Sequence, residues 1–240
     1  MKTCLINQKA GLGDILFCQK IATLAKQRYG CDKVVWPVDE VYKYLSEYIE
    51  SDSTFIYDES FEFIAGHNII NTDDMLYVPL GTSDRVISGD DPRAHGHIKY
   101  KFFFDTDYKD WKDYFNIQRN LPREALVRDR LGINPGEQYN FINCNFGTPP
   151  NFLATDISPN NGLRNIYMRI YSDVNIFDWL GVIEGASEIH TIETSLYYIL
   201  EKMNIENNVF IYSKYTAQNP GYLDNYSYMR EHCSKKWNYV

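Results

Sequence analysis

Two short stretches hold residue types whose spacing could do chemistry. Near the start, Gly11, Leu12, Gly13 and Asp14 stand between a short apolar run and a long apolar-periodic one. Glycines in that place let the backbone turn tightly and approach a ligand, while the N–H groups of a helix start favour an anion. The pattern is neither the G-x-G-x-x-G of dinucleotide sites nor the G-K-[ST] of a P-loop, so spacing alone names no ligand. Asp14 is open to two roles, a carboxylate at the mouth of a site or the N-cap of the helix that follows. Further on, Glu193, Thr194 and Ser195 open another apolar-periodic run, where a Ser/Thr helix cap and a polar ligand site are equally consistent with the spacing.

Other groups are weaker candidates. His95 and His97 alternate in "HGH" with no third ligand nearby, so no metal site is assigned. There is no G-x-S-x-G elbow for a serine nucleophile. Arg119, Arg123, Arg128 and Arg130 read as the exposed face of a helix.

The elements that must position these residues alternate. "KTCLIN" reads as a strand, "QKAGLGD" as a loop, Ile15 to Tyr29 as a helix stopped by Gly30, and "KVVWPV" as a second strand, which together make a βαβ unit. "EVYKYLSEYI" has helical spacing, and "TFIYD" and "DMLYVPLG" read as strands. The stretch from Ser83 to Trp111 is irregular and reads as an excursion from the sheet. "NLPREALVRDRLG" is a helix with Pro122 in its first turn and Gly132 at its end, and "INPGEQ" is a linker. "YNFINCNFG", "NIYMRIY", "EIHTIE" and "NNVFIYS" then read as strands, with helices over "NIFDWLGVIEGA" and "TSLYYILEKMN". The fold class expected is α/β, with two Rossmann-like lobes over residues 1–135 and 136–240 and ligands in a crevice at the carboxyl ends of the strands.

Bulk properties narrow the function classes. A net charge of −8 and a pI near 5.1 argue against a surface built to hold a nucleic-acid backbone or an anionic membrane. The five cysteines include no C-x-x-C pair and read as reduced thiols of a cytoplasmic protein. No run approaches the ~20 apolar residues of a transmembrane segment, and "MKTCLINQ" is too short for a signal peptide. Aromatics make up 15% of the chain, enough to fill a core or to stack on sugars and bases.

Against this background, "GLGDILFCQKIATLAKQRYG" resembles the opening of glycosyltransferases of the two-lobed GT-B architecture, especially the heptosyltransferase-like and related sugar transferases. "GASEIHTIETSLYYILEKMNI" resembles the family segment in which a D-[ST]-[SG] turn opens a helix beside the donor nucleotide. Glu193 stands where the family usually has aspartate, which keeps the charge on a longer arm, and the chain is short for the architecture. The resemblance implies a compact GT-B fold that moves a sugar from a nucleotide-diphosphate donor to a hydroxyl of a glycan or glycoconjugate, with no cofactor and no metal.

It implies Asp14 as general base, and donor contacts from Gly11, Gly13, Asn143, Asn145, Thr148, Arg164, Glu193, Thr194 and Ser195, with Arg169 as a second phosphate-side candidate. Glu193 and Glu201 match the E-x₇-E spacing of retaining members. Two turns into its helix, however, Glu201 is expected to face solvent. Two alternatives stay open. "YKFFFDTD" imitates the hhhh-D-x-D signature of metal-dependent GT-A enzymes, with Asp105 and Asp107 as ligands, although a solvated loop is the simpler reading. A non-catalytic protein that binds a nucleotide or sugar on the same scaffold is the other.

Overall fold

The computed structural model describes residues 1–9, 11–59, 61–62, 64, 68–81, 97–145, 157–203, 205–212 and 237–240. The chain forms two compact units, Met1–Gln118 and Arg119–Val240.

In the first unit, β1 (Thr3–Ile6) leads through α1 (Leu12–Phe17) and α2 (Gln19–Tyr29) to β2 (Lys33–Pro37). After α3 (Leu45–Tyr48), β3 (Ile49–Ser51) and β4 (Ser53–Ile56), the short β5 (Ile70–Asn71) and β6 (Met75–Val78) complete the sheet. Its order is β4-β2-β1-β6-β5. All neighbours are parallel except the edge pair β5 and β6, with Cys4 opposite both Val34 and Leu76. Central parallel strands are covered on both faces, and Cys4, Ile6, Leu76 and Val78 are fully buried accordingly.

The single helix expected over Ile15 to Tyr29 is two, broken at Cys18 (φ −88, ψ 9). The buried Gln19 explains the break locally. Its side-chain amide donates to the Ile15 carbonyl at 2.7 Å, and its amide oxygen accepts from the hydroxyls of Ser51 and Ser53 at 2.8 and 2.9 Å. Gly30 ends α2 in the left-handed region (φ 66), as expected.

The stretch read as irregular contains α4 (His97–Phe104), and at its end a 3-10 turn at Trp111–Tyr114 leads on into β7 (Phe115–Ile117), which pairs antiparallel with β3. Phe17 meets Tyr100, Tyr108 and Trp111 at ring separations of 5.5, 5.7 and 5.4 Å. The Tyr100 hydroxyl also donates to the Phe17 carbonyl. These aromatics act as core, and they fasten α4 to the end of α1.

The second unit begins with α5 (Leu121–Arg130), followed by β8 (Tyr139–Asn143), β9 (Arg164–Tyr167), α6 (Leu180–Glu184), β10 (Glu188–Ile192), α7 (Leu196–Lys202), β11 (Asn208–Tyr212) and β12 (Asn238–Tyr239). The sheet order is β12-β11-β10-β8-β9, parallel throughout. Of the C-terminal segment, residues 213–236 lie outside the described residues, and Asn238 and Tyr239 add an edge strand beside β11.

α5 belongs to this unit, so the division falls ahead of the linker at "INPGEQ". Its arginines explain why. Arg119 binds Glu124 and Glu184, Arg130 binds Asp173, and Arg123 makes two bonds, at 2.9 and 2.8 Å, to the fully buried carboxylate of Asp178. What the sequence suggests as an exposed basic face is largely a set of ion pairs that holds α5 down.

Candidate active site

In each sheet the strand order reverses once. In the first, the chain runs from β1 to β2 and β4 on one side and returns with β6 on the other. In the second, β9 lies on one side of β8 and β10 on the other. At such switch points the loops leaving the carboxyl ends of adjacent strands diverge and open a crevice within the unit, where ligands of open α/β sheets bind. Both stretches singled out in the sequence leave from these positions.

At the first switch point, Asn7 and Gln8 follow β1, and Gly81 follows β6. The Gly81 N–H donates to the Asn7 carbonyl at 2.5 Å, and a Cβ on Gly81 would lie 3.2 Å from that oxygen, so the two loops meet backbone to backbone. Asn7 also donates to the Tyr77 hydroxyl at 2.8 Å, and the Trp36 indole donates to the Gln8 carbonyl at 2.9 Å.

Gly11 then takes φ 83, ψ 79 and is itself the N-cap of α1. Asp14 is the third residue of the helix, so the N-cap role considered for it is not the one it fills. Gly13 is the second residue of α1 and, like Asp14, half-buried. The Asp14 carboxylate folds back over Gly11, whose hypothetical Cβ would lie 2.9 Å from Oδ2. Its other oxygen, Oδ1, faces the Lys99 ammonium at 3.4 Å, and that ammonium donates to Gln8 Oε1 at 3.0 Å. The Lys99 side chain is 1% exposed and that of Asp14 35%. A partly exposed carboxylate thus stands at the switch point with a buried cation on one side.

At the second switch point, Asn143 ends β8 and reaches across to β10. Its amide donates to Thr191 Oγ1 at 3.0 Å and Thr194 Oγ1 at 3.4 Å, and its oxygen accepts from the Asn145 N–H at 3.1 Å. Asn145 in turn donates to the Met168 carbonyl at 2.8 Å, beyond the end of β9. Thr194 Oγ1 accepts from the Leu196 N–H at 3.3 Å, a local turn that starts α7. Ser195 is the N-cap of α7 without a side-chain cap bond, and Glu193 is buried at the end of β10. Asn143, Asn145, Glu193, Thr194 and Ser195 are therefore gathered at one place.

Arg164 is not with them. It begins β9, at the amino end of the sheet, where its guanidinium donates to the Leu131 and Gly132 carbonyls at 2.6 and 3.1 Å and pairs with Glu137 at 2.9 Å. It serves the end of α5, and the carboxyl-end crevice is at the far end of its strand. Arg169, by contrast, is exposed just past the carboxyl end of β9. Thr148 and His95 lie outside the described residues, as does the His97 side chain.

Glu201 is buried, against expectation, because α7 is apolar on nearly every side, with Leu196, Tyr197, Ile199 and Leu200 all buried. The apolar residues before Asp105 and Asp107 are helical, and both aspartates face lysines, Asp105 with Lys101 and Asp107 with Lys20 at 3.8 Å. Among the described residues no cluster of His, Cys, Asp and Glu has the arrangement of a metal site.

Sequence reasoning missed Lys99 and Gln8. Gln8 was findable, as a polar residue directly beyond the carboxyl end of the first strand. Lys99 sits in "HIKYKFFF" with nothing to distinguish it from the exposed Lys101.

No protein-family model matches the chain, and no curated protein matches it in sequence. Among solved structures it is similar to the iron-containing dodecameric glycosyltransferase TibC of enterotoxigenic E. coli, at 11% identity and a TM-score of 0.44, over 88% of this chain and 58% of that one. It is also similar to the ADP-heptose LPS heptosyltransferase II of E. coli, at 9% identity and a TM-score of 0.43, over 89% of this chain and 85% of that one. A family 9 glycosyl transferase of Veillonella parvula aligns at 8% identity and a TM-score of 0.43, over 88% and 80% of the two chains. The likeness is slight at these values, and the case for the site rests on its own residues. No helix among the described residues is long and apolar enough to cross a membrane.

Proposed function

We propose that this protein is a glycosyltransferase that moves a sugar from a nucleotide-diphosphate donor to a hydroxyl of a glycan or glycoconjugate. The observation that carries this reading is the Asp14 carboxylate, partly exposed at the switch point of the first sheet beside the buried Lys99. The acceptor oxygen forms a bond to the anomeric carbon as the bond from that carbon to the diphosphate breaks. The acceptor's proton passes to Asp14, and the nucleoside diphosphate leaves.

The first unit supplies the base and the acceptor side, with Gly11 and Gly13 giving the loop its close approach. The second supplies the donor side. Asn143, Asn145, Thr194 and Ser195 offer neutral hydrogen-bonding groups to a diphosphate and ribose, and Glu193 stands at the end of β10. The transfer needs no metal in this reading, and the cytoplasm, with its free cysteines kept reduced, is its setting.

Thermal unfolding against a panel of UDP, GDP, ADP and CMP sugars, each with EDTA and with Mn²⁺, tests the donor side. A donor at a hundred times its dissociation constant stabilises by ~2.7 kcal/mol, a shift of roughly five to ten degrees for a chain of this size. A shift with one nucleotide class that survives EDTA supports the reading. A shift only with Mn²⁺ points to a metal-dependent site, and no shift at all removes the donor. Tight binding with no product from any acceptor would make this a binding protein on the same scaffold.

A further inference from the structure

Lys99 has a place in this site that its sequence context does not suggest. Its side chain is almost wholly buried, and an ammonium withdrawn from water needs a counter-charge and hydrogen-bond acceptors. Asp14 Oδ1 at 3.4 Å supplies the charge, and Gln8 Oε1 at 3.0 Å is an acceptor. The position is set by packing. Tyr100, the next residue of α4, donates its hydroxyl to the Phe17 carbonyl at the end of α1 and meets the Phe17 ring edge-on at 5.5 Å. The helix carrying the ammonium and the helix carrying the carboxylate are thereby fastened together.

We propose that Lys99 is the positioning residue of the site: its ammonium holds Asp14 Oδ1 and leaves Oδ2, lying over Gly11, to take the acceptor's proton. This rests on the sugar-transfer reading with Asp14 as base. Among the described residues Oδ2 accepts no hydrogen bond, as a base that must receive one from a substrate hydroxyl requires. In the step itself the acceptor's proton moves to Oδ2 and Lys99 keeps its own protons. Its contribution is orientation, holding the reacting oxygen where the acceptor hydroxyl arrives.

The two partners are unequal. Asp14 is open enough for water to solvate it when Lys99 is removed. Lys99 is not, so removing Asp14 takes from a buried cation the carboxylate that faces it.

The test compares the whole wild-type chain with K99M, K99R, D14N and K99M/D14N in two measurements, the unfolding midpoint and transfer turnover with the donor selected by the binding panel. We expect the midpoint changes of D14N and K99M to be coupled, the double variant losing less than the sum of the two. K99M should lower kcat about ten- to a hundredfold with the donor Kd and the acceptor KM within about threefold, and K99R should recover part of the turnover. A purely structural lysine would shift the midpoint and leave kcat alone.

K99M with wild-type kcat, in an enzyme that D14N silences, would overturn the proposal, as would additive midpoints across the four proteins. If D14N turns over normally while the midpoints stay coupled, the base assignment fails and Lys99 is only a counter-ion. No transfer by the wild-type protein would overturn both.

Discussion

Gly11→Ala perturbs the site through a single carbon, and its size can be worked from the structure. Gly11 holds φ 83, ψ 79, and an L residue there costs roughly 1–2 kcal/mol in the backbone alone. The new Cβ would lie 2.9 Å from Asp14 Oδ2, where ordinary contact begins near 3.4 Å, so the carboxylate must retreat by about half an ångström. It cannot retreat freely, because Oδ1 faces Lys99.

A displacement of about 1 Å at a reacting group can cost on the order of a hundredfold, so half of that should cost about tenfold in kcat. Donor affinity, which the proposal assigns to the second unit, should stay within about twofold. The melting midpoint should fall by roughly two to eight degrees from the strain. Initial rates at saturating donor and thermal melts read both quantities. Gly30→Ala is the control. It carries the same kind of strain (φ 66) but has nothing within 4 Å of its Cβ, so it should lower the melt and leave the rate alone. A G11A enzyme with wild-type kcat, or a G30A enzyme that loses as much, would refute the reasoning.

Arg123→Ala takes the paired cation from the fully buried Asp178 carboxylate and should cost about 3 kcal/mol, seen as a drop of roughly six degrees or more in the melt; a drop under two degrees would show that the pair holds nothing. Asn143→Ala removes the bonds to Thr191 and Thr194 that fix the second switch point, and should weaken nucleotide-sugar binding about tenfold by calorimetry while leaving the first unit's melt unchanged.

Stability should also depend on pH through two sets of groups. Burial pushes Asp52 up, but the hydrogen bonds from Lys26 and Thr23 more than offset it, and Asp110 is likewise held down overall by Lys20 and Tyr114. Carboxylates lowered in the fold contribute stability above about pH 4 that is lost as pH falls through their folded values. His190 is lowered chiefly by burial, with Glu188 opposing, so the fold favours its neutral form. Its contribution is complete above about pH 6.5 and fades on acidification. Melts from pH 7.5 to 5.5 should therefore decline gently, and H190Q should flatten that decline while the loss below pH 4 remains. An unchanged slope in H190Q would remove His190 from this account.

Much of the fold was legible because parallel strands buried on both faces are written as short segments rich in apolar, aromatic and β-branched residues. "TCLI", "YNFIN" and "EIHTI" needed no further clue. The glycine loop was legible too, since Gly11 must reach a positive φ and Gly30 must end a helix. The break at Cys18 was not, because it depends on Gln19 reaching serines more than thirty residues away. Nor was α4, for "YKFFF" has no period that separates helix from strand, and packing of Tyr100 against Phe17 accompanies its helical form.

At the site, Asn143 and Thr194 could be placed together because one ends and the other follows strands that meet at the switch point. Arg164 was misplaced although its position ahead of "NIYMRIY" puts it at the amino end of a strand. Lys99 was out of reach, since burial of a lysine is decided by tertiary contacts alone.

The most direct measurement is transfer turnover of wild type and D14N at saturating nucleotide sugar, with donor binding measured beside it. Removing a general base typically costs a hundredfold to ten-thousandfold. The expected result is a kcat for D14N lower by about that factor with the donor dissociation constant unchanged within about threefold. A D14N enzyme that transfers sugar at close to the wild-type rate would contradict the assignment of Asp14 as the base.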